Sequence, residues 1–401
     1  MSQQAQASDF PLEQIQQALE RFRIDGWLLY DFRGSNELAR RVLRIPPEQI
    51  TSRRWFYWIP RQGEPVKLVH RIEPGVLDHL PGSRVEYLRW QELQQGLKEL
   101  VSQAGQVAME YSPFGSIPYV SRVDAGTVEL VKSLGPEVVS SGDLVQVFEA
   151  TWSPEQWQLH LQATQGTTAA FEVAWEFIRR KLRAGERPWE LEVQRVITDH
   201  LRQCGLVWEH PPIVAVGPHS ADPHYMPAEE TNVPIEPQQV VLIDLWAKVD
   251  SPQGVYSDLT CMAYTGTAVP EEVTRVWAVV VQAREAAVAQ VEQAFAHQGT
   301  LYGWQVDDAA REVIAKAGYA EAFLHRTGHS IGREVHGNGA NMDNLETHDS
   351  RRVLPGSCFS VEPGIYLPGR FGLRSEVNVF VDSAGQVHVT GRRQQEMELL
   401  G

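Results

Sequence analysis

The chain has 401 residues, 43% of them hydrophobic and 22% charged, with a formal net charge of −15. That length exceeds one typical domain and the composition is ordinary for a packed globular protein, which excludes a disordered chain. The acidic balance argues against general nucleic-acid binding, and the absence of both a signal-like start in MSQQAQASDFPLEQ and any membrane-length apolar run makes a cytoplasmic protein without nucleic-acid or membrane partners the default expectation.

From Phe10 to Glu149 helical and strand-like runs alternate. Helices are predicted over Leu12 to Phe22 and Trp90 to Gln103, and strands over Trp27 to Tyr30, Trp55 to Ile59, Val66 to Val69 and Gln106 to Met109. Such alternation implies an α/β layer domain over residues 1–152. No recognisable catalytic set falls in it. Arg53-Arg54-Trp55 has the residues to meet an anion, but reads better as a snorkelling surface edge beside a core aromatic run.

A new domain, residues 153–401, is predicted to open near Thr151. Ser153-Pro154-Glu155-Gln156 has the form of an N-cap, a proline at the first helical position and a capping-box glutamine. Helical patterning follows through Gln156 to Leu182, Trp189 to Gln203, Glu271 to Phe295 and Trp304 to Lys316, with strand-like runs and glycine-rich loops between, so this part is α+β. Cys204, Cys261 and Cys358 are far apart and odd in number, which suits small core residues of a reducing compartment better than a disulfide framework.

Two acidic hairpins stand out in this second part. In Phe359 to Asn378, FSVEPGIYLPGRFGLRSEVN, Glu362 and Glu376 lie on strand-like runs joined by a turn containing Pro368, Gly369 and Gly372. A hairpin brings them face to face, where bare charges about 5 Å apart repel by roughly 3 kcal/mol at an effective dielectric of 20. Upstream, Val240 to Tyr264 carries Asp244 and Asp258 with the same separation of fourteen positions, and reads as a related hairpin. Three histidines, His325, His329 and His336, crowd into FLHRTGHSIGREVHG among glycines that permit close backbone approach. Four carboxylates and a neutral imidazole sum to −4, a charge that two divalent cations balance. Oxygen-rich ligation with one histidine suits Mn, Zn, Co or Fe. Surface pairing of these acids with arginine is the weaker alternative, since the runs beside them are apolar and would bury the charge.

These motifs, IDLWAKVDSPQGVYSDLT, HRTGHSIG, SVEPGIY and GLRSE in that order, resemble the pita-bread metallopeptidases, the family of methionine aminopeptidase, Xaa-Pro aminopeptidase and Xaa-Pro dipeptidase (prolidase). The resemblance runs from Pro154 to about Val389, and LLYDFRGSN resembles, more weakly, the creatinase-like N-terminal domain of the proline-directed branch. It implies an α/β creatinase-like domain followed by an α+β pita-bread catalytic domain. It also implies two divalent metal ions, Mn foremost, with Asp244 on one metal, Asp258 and Glu376 bridging, and His329 and Glu362 on the other. Glu362 would further act as general base, His224 and His336 as donors to the scissile amide, and His325, Tyr366 and Arg374 as substrate contacts, the last suited to a carboxylate. His219 matches no role and is expected to be structural.

Three departures from the family pattern concern the site. Trp246 stands where relatives carry glycine, the hairpin to Asp258 is longer than the common version, and Val377 follows Glu376 where many relatives have a second acid. The acidic loop Asn341 to Asp349 is expected to be a solvated surface loop rather than a gate. The implied activity is hydrolysis of the Xaa-Pro bond of dipeptides, the partner a proline-containing di- or oligopeptide, and the assembly a homodimer. Rival readings are an aminopeptidase acting on longer peptides, a metal-free creatinase-like hydrolase and a non-catalytic pita-bread binding protein, the last two being expected to have lost ligands that this chain keeps.

Overall fold

A computed structural model describes residues 10–401. The described residues form two compact units, unit 1 ending at Glu149 and unit 2 spanning Ala150–Gly401.

Unit 1 is a three-layer α/β structure. Its helices are α1 (Leu12–Phe22), α2 (Glu37–Val42), α3 (Trp90–Val101), α4 (Ala125–Ser133) and α5 (Gly142–Glu149). Its strands are β1 (Gly26–Asp31), β2 (Trp55–Pro60), β3 (Val66–His70), β4 (Ser83–Tyr87), β5 (Gln106–Met109) and β6 (Glu137–Ser140), in the spatial order β4-β3-β2-β1-β5-β6. Alternate residues of the central strands feed two cores: Trp27, Leu29, Trp55 and Tyr57 pack with α1, α2 and α5, while Leu28, Tyr30, Phe56 and Trp58 pack with α3 and α4. Burial on both faces explains why these strands read as continuous apolar runs. The edge strand β4, SRVEY, is exposed except at Tyr87 and carries no such run.

Unit 2 opens on α6 (Pro154–Arg183), capped as the sequence implies: the Ser153 hydroxyl accepts from the Gln156 amide, and the Gln156 side chain accepts from the Ser153 amide. It is followed by α7 (Glu190–Gln203), β7 (Leu206–Val207), β8 (Ile213–Val216), β9 (Val240–Val249), β10 (Ser257–Tyr264), α8 (Glu271–Ala296) and α9 (Gly303–Lys316). The C-terminal strands are β11 (Ser330–Ile331), β12 (Cys358–Val361), β13 (Gly364–Leu367), β14 (Phe371–Arg374), β15 (Val377–Val381), β16 (Val387–Thr390) and β17 (Glu398–Leu399).

β9 and β10 form the centre of one sheet, ordered β17-β10-β9-β7 with β8 also on β9; β11-β12-β15-β16 form a second, and β13-β14 a ribbon. Ile243, Leu245, Leu259 and Cys261 on one face of the first sheet pack on α6 and α7. Leu242 and Met262 on the other face join α8, α9 and the inward residues Phe359, Val361, Val377 and Val379 of the second sheet. That second face therefore begins apolar, and the polar residues Asp244, Thr260 and Asp258 occupy its other half. Cys261 and Cys358 are buried as expected, whereas Cys204, just past the end of α7, is exposed. Among the described residues no helix is long and apolar enough to cross a membrane.

Candidate metal centre

The acidic pairs are placed by two different strand arrangements. In the β9–β10 ladder Asp244 pairs with Thr260 and Asp258 with Trp246, so the two aspartates are diagonal neighbours on one face. In the second hairpin β12 pairs with β15 up to Val361↔Val377, and β13 resumes with β14 at Gly364↔Arg374 in the same register. Glu362 and Glu376 fall opposite each other in the gap. There the glutamate amides leave the hairpin: Glu362 N–H donates to Thr327 O at 2.7 Å and Glu376 N–H to Thr260 O at 3.2 Å. Arg284 of α8, fully buried, holds the same break through Ser375 Oγ at 2.6 Å.

The two hairpins are joined by side chains that behave like backbone. Asn378 accepts from the Asp258 amide at 3.1 Å and donates to its carbonyl at 2.5 Å. Two residues along, Thr260 Oγ1 donates to Glu376 Oε2 at 2.8 Å. Side chains at alternate positions of two strands thus extend an antiparallel pairing where no direct ladder exists. Asp258-x-Thr260 and Glu376-x-Asn378 share their strand faces by two-residue spacing, and that is the signal by which Thr260 and Asn378, which sequence reasoning missed, were findable.

His329 is fixed by the strand start at β11. Its amide donates to Ser360 Oγ at 2.9 Å, and Ser360 N–H returns a bond to His329 O at 2.9 Å. Gly328 before it runs so close to β12 that a Cβ would lie 1.9 Å from the Ser360 carbonyl oxygen. Nδ1–H of His329 donates to Ser330 O at 3.2 Å, which leaves a lone pair on Nε2. That nitrogen lies 3.4 Å from both Asp258 Oδ2 and Glu362 Oε1. Ligand atoms of Asp258, His329 and Glu376 all lie within 4.8 Å of one another.

Acceptor atoms of four acidic side chains and one imidazole thus converge, and the electrostatics reflect that crowding. Burial, with the neighbouring carboxylates, pushes Asp244 up to about 7 and lifts Asp258 and Glu376 well above the usual carboxylate range. Glu362 goes the other way: burial opposes its charge, but the Arg374 guanidinium and the Ser360 hydroxyl, which donates to Oε1 at 3.0 Å, favour it and help hold its carboxyl below the usual range. Asp244 Oδ1 and Glu376 Oε1 are buried without a hydrogen-bond partner among the described residues. Oxygens of this kind are costly unless something cationic meets them. Cys261 lies on the opposite face of β10, so no thiolate enters the set. The donors are carboxylate oxygens and one imidazole lone pair, an arrangement that fits divalent cations.

The remaining predicted site residues surround this core. Arg374 is 4% exposed and turned inward, donating to Asp244 Oδ2 at 2.5 Å, Thr260 Oγ1 at 3.0 Å and Tyr366 OH at 3.1 Å. Nδ1–H of His325 donates to Arg326 O, so its Nε2 accepts from the Tyr366 hydroxyl at 2.7 Å, giving a chain from Arg374 through Tyr366 to His325. Burial pushes His325 down to about 4, in keeping with a neutral ring. The exposed His336 ring sits edge-on to His329 with centroids 4.4 Å apart. His224 is exposed on a loop braced by buried Glu190, which accepts from Val216 N–H, His219 Nδ1 and the Tyr225 hydroxyl. His219 is therefore a brace for the loop that carries His224.

Asp307 of α9, fully buried and also missed from sequence, accepts from the amide and hydroxyl of Thr327 at 2.8 and 2.6 Å, from the Asn344 amide at 3.0 Å and from Arg311. It ties the histidine loop to the Asn341 to Asp349 segment. That segment corrects the expectation of a solvated surface loop: Asn341, Met342, Asp343, Thr347 and Asp349 are buried. Its polar residues look inward, Asp349 accepting from the Asn341 amide and pairing with Arg351, while Asn341 Oδ1 accepts from Ser330 N–H beside His329. Trp246, opposite Asp258 in the ladder, is half-buried and packs against two cores; its indole N–H has no partner among the described residues.

Residues 158–383 match the model of metallopeptidase family M24. The chain belongs to that family. It is 35% identical over 177 residues to the probable dipeptidase PepE of Mycobacterium tuberculosis H37Rv, which is 44% of this chain and 43% of that protein. With the Xaa-Pro dipeptidase of Lactobacillus helveticus it shares 32% over 212 residues, 52% of this chain and 50% of that one. These alignments span half or less of the curated relatives. By fold the chain is similar over its full length to the crystal structure of dipeptidase PepE from Mycobacterium ulcerans, with a TM-score of 0.66 at 23% identity, covering 100% of this chain and 99% of that one. The Xaa-Pro dipeptidase structure from Bacillus anthracis gives a TM-score of 0.59 at 22% identity, covering 97% and 98%. The architecture is thus that of an N-terminal α/β domain followed by an M24 pita-bread domain.

Proposed function

We propose that this M24 protein is a metal-dependent exopeptidase that hydrolyses the Xaa-Pro bond, with Xaa-Pro dipeptides as its principal substrates. The observation that carries the reading is the unprotonated Nε2 of His329 held 3.4 Å from both Asp258 and Glu362, beside the unpaired oxygens of Asp244 and Glu376. In this reading Asp244, Asp258, His329, Glu362 and Glu376 would hold two divalent ions, with manganese the native metal. When bound, the ions neutralise the carboxylates, lower the pKa of water and polarise the scissile carbonyl. We extend the proposal to a cytoplasmic homodimer.

The chain's own groups supply the rest. Glu362, the carboxylate held below the usual range, takes a proton from the attacking water and delivers it to the proline nitrogen as the C–N bond breaks. That nitrogen belongs to a tertiary amide, has no N–H to offer and must gain a proton to leave as proline. His224 and His336, both exposed at the site's edge, donate to the carbonyl oxygen as charge develops on it. The Arg374–Tyr366–His325 chain lies at the proline end, where Arg374 is shared between Asp244 and an incoming carboxylate. Proline-dipeptidase names among the relatives support the substrate class.

The test is turnover of the manganese-loaded chain on Ala-Pro, Ala-Ala and Ala-Pro-Ala, before and after exhaustive chelation. Ala-Pro should be cleaved fastest and chelation should abolish cleavage. Preference for Ala-Ala would refute proline direction, preference for the tripeptide would make the protein an aminopeptidase, and undiminished turnover after chelation would remove the metal mechanism.

A further inference from the structure

A second concave site lies wholly within unit 1, in residues that take no part in the metal centre. It is a cleft of about 600 Å³, within the range of small-molecule sites. Buried Tyr30 and Tyr87 line its interior, Arg53 and Arg54 give it a cationic side, and His70, whose Nδ1 accepts from the Ile72 amide, adds a polar edge. Phe32, Leu88 and Trp90 border the same space and are 41%, 46% and 61% exposed, an apolar cluster that water leaves unsatisfied.

Arg53 and Arg54 form no ion pair with a carboxylate among the described residues. The two nearby acids are already engaged. Asp124, in the cleft, accepts from the amide and hydroxyl of Thr127 and from the Tyr30 hydroxyl. Glu73 accepts from the amide and hydroxyl of Ser52 and from the Arg53 amide. Arg54 is half-buried beside Tyr87, whose hydroxyl donates to the Arg54 carbonyl at 2.7 Å, so its charge is partly desolvated with no counter-charge in contact. A cationic cleft in a chain of net charge −15 attracts small anions against the field of the rest of the molecule. A guanidinium offers a carboxylate two parallel donors, and the aromatic rim offers flat apolar contact.

We propose that this cleft binds a small organic carboxylate with a flat apolar body, its carboxylate on Arg54 and Arg53 and its body against Trp90, Leu88 and Phe32. The proposal does not rest on the peptidase reading.

The experiment is calorimetric titration of the full-length, chelator-treated protein with 3-phenylpropanoate and with its uncharged amide. The acid should bind saturably and at least about tenfold more tightly than the amide, a difference of about 1.4 kcal/mol. Arg54→Gln should bring the acid down to the amide's level, Arg53→Gln should do so in part, and Trp90→Ala should weaken both ligands alike. Circular dichroism confirms that each variant is folded, and the two arginine variants serve as independent readings should one fail to fold. Equal binding of acid and amide, acid preference surviving in both arginine variants, or no saturable binding up to about 10 mM would each overturn the proposal.

Discussion

The two hairpins of unit 2 carry acids at the same separation yet solve the problem of buried like charge differently. In β9–β10 the ladder is continuous, the aspartates are diagonal rather than opposed, and Arg374 lies against Asp244 as a built-in counter-charge. In β12–β15 the glutamates are directly opposed, the ladder is interrupted at that point, and their amides turn to Thr327 and Thr260. Equal spacing in sequence therefore does not mean equal pairing. The first hairpin is an unbroken floor, and the second is opened at the position of its two glutamates.

The sharpest way to break this comparison is to remove the charge that both hairpins share. Asp258→Asn should reduce Xaa-Pro turnover to background, because the amide can neither bridge two cations nor supply charge. It should also raise the melting temperature of the metal-free protein, since a buried carboxylate held well above its usual pKa is a cost to the fold. Paired thermal melts with and without metal check this. Near-normal activity, or a metal-free melt lowered as much as the metal-loaded one, would place Asp258 outside the centre.

A smaller effect is expected where the hairpins meet. Asn378→Ala removes both bonds to the Asp258 backbone and leaves a buried donor and acceptor unmet, a loss of about 2–4 kcal/mol. With Asp258 less well held, affinity for manganese should fall about 10–100-fold. Urea denaturation of the metal-free chain and metal titration separate the two consequences. Unchanged metal affinity in a destabilised variant would mean that the clamp is structural only.

Much of this arrangement was legible from sequence, and the limits have physical causes. Trp27 to Tyr30 and Trp55 to Ile59 were legible because strands buried on both faces are apolar throughout, whereas β4, nearly all exposed, has no pattern to read. Glu362 and Glu376 were legible as an opposed pair because a glycine-rich turn joins them within one hairpin. Thr260 and Asn378 were only half legible: two-residue spacing puts them on the faces of the acids, but their partners lie more than a hundred residues away and the spacing does not say that the two strands meet. The Asn341 to Asp349 segment misled for a related reason. Its polar composition suggests water, but Asp349 and Asn341 spend their bonds inside, on Arg351, on backbone and on the strand that holds His329.

The smallest expected effect concerns how the floor itself is held. His160 of α6 is fully buried, donates from Nδ1 to Tyr256 O at 2.8 Å at the entrance to β10, and accepts at Nε2 from the Thr390 hydroxyl of β16 at 2.7 Å. Burial lowers its pKa from 6.5 to about 4, because a charged ring has no water there and Nε2 would lose its role as acceptor. Between those values the unfolded chain binds the extra proton and the folded chain does not, so stability falls as pH drops through this window and is fully present above 6.5. At pH near 5.5 the loss should be about 1.4 kcal/mol, one unit of titration. His160→Gln, which keeps a donor and an acceptor but cannot titrate, should remove that part of the acid sensitivity. Urea midpoints of the metal-free chain and the variant at pH 7.5 and 5.5 give the difference directly. The buried carboxylates of the two hairpins should contribute equally to both proteins and cancel. An equal acid loss in the two would show that the proton goes elsewhere and that the first hairpin is anchored by something other than a neutral His160.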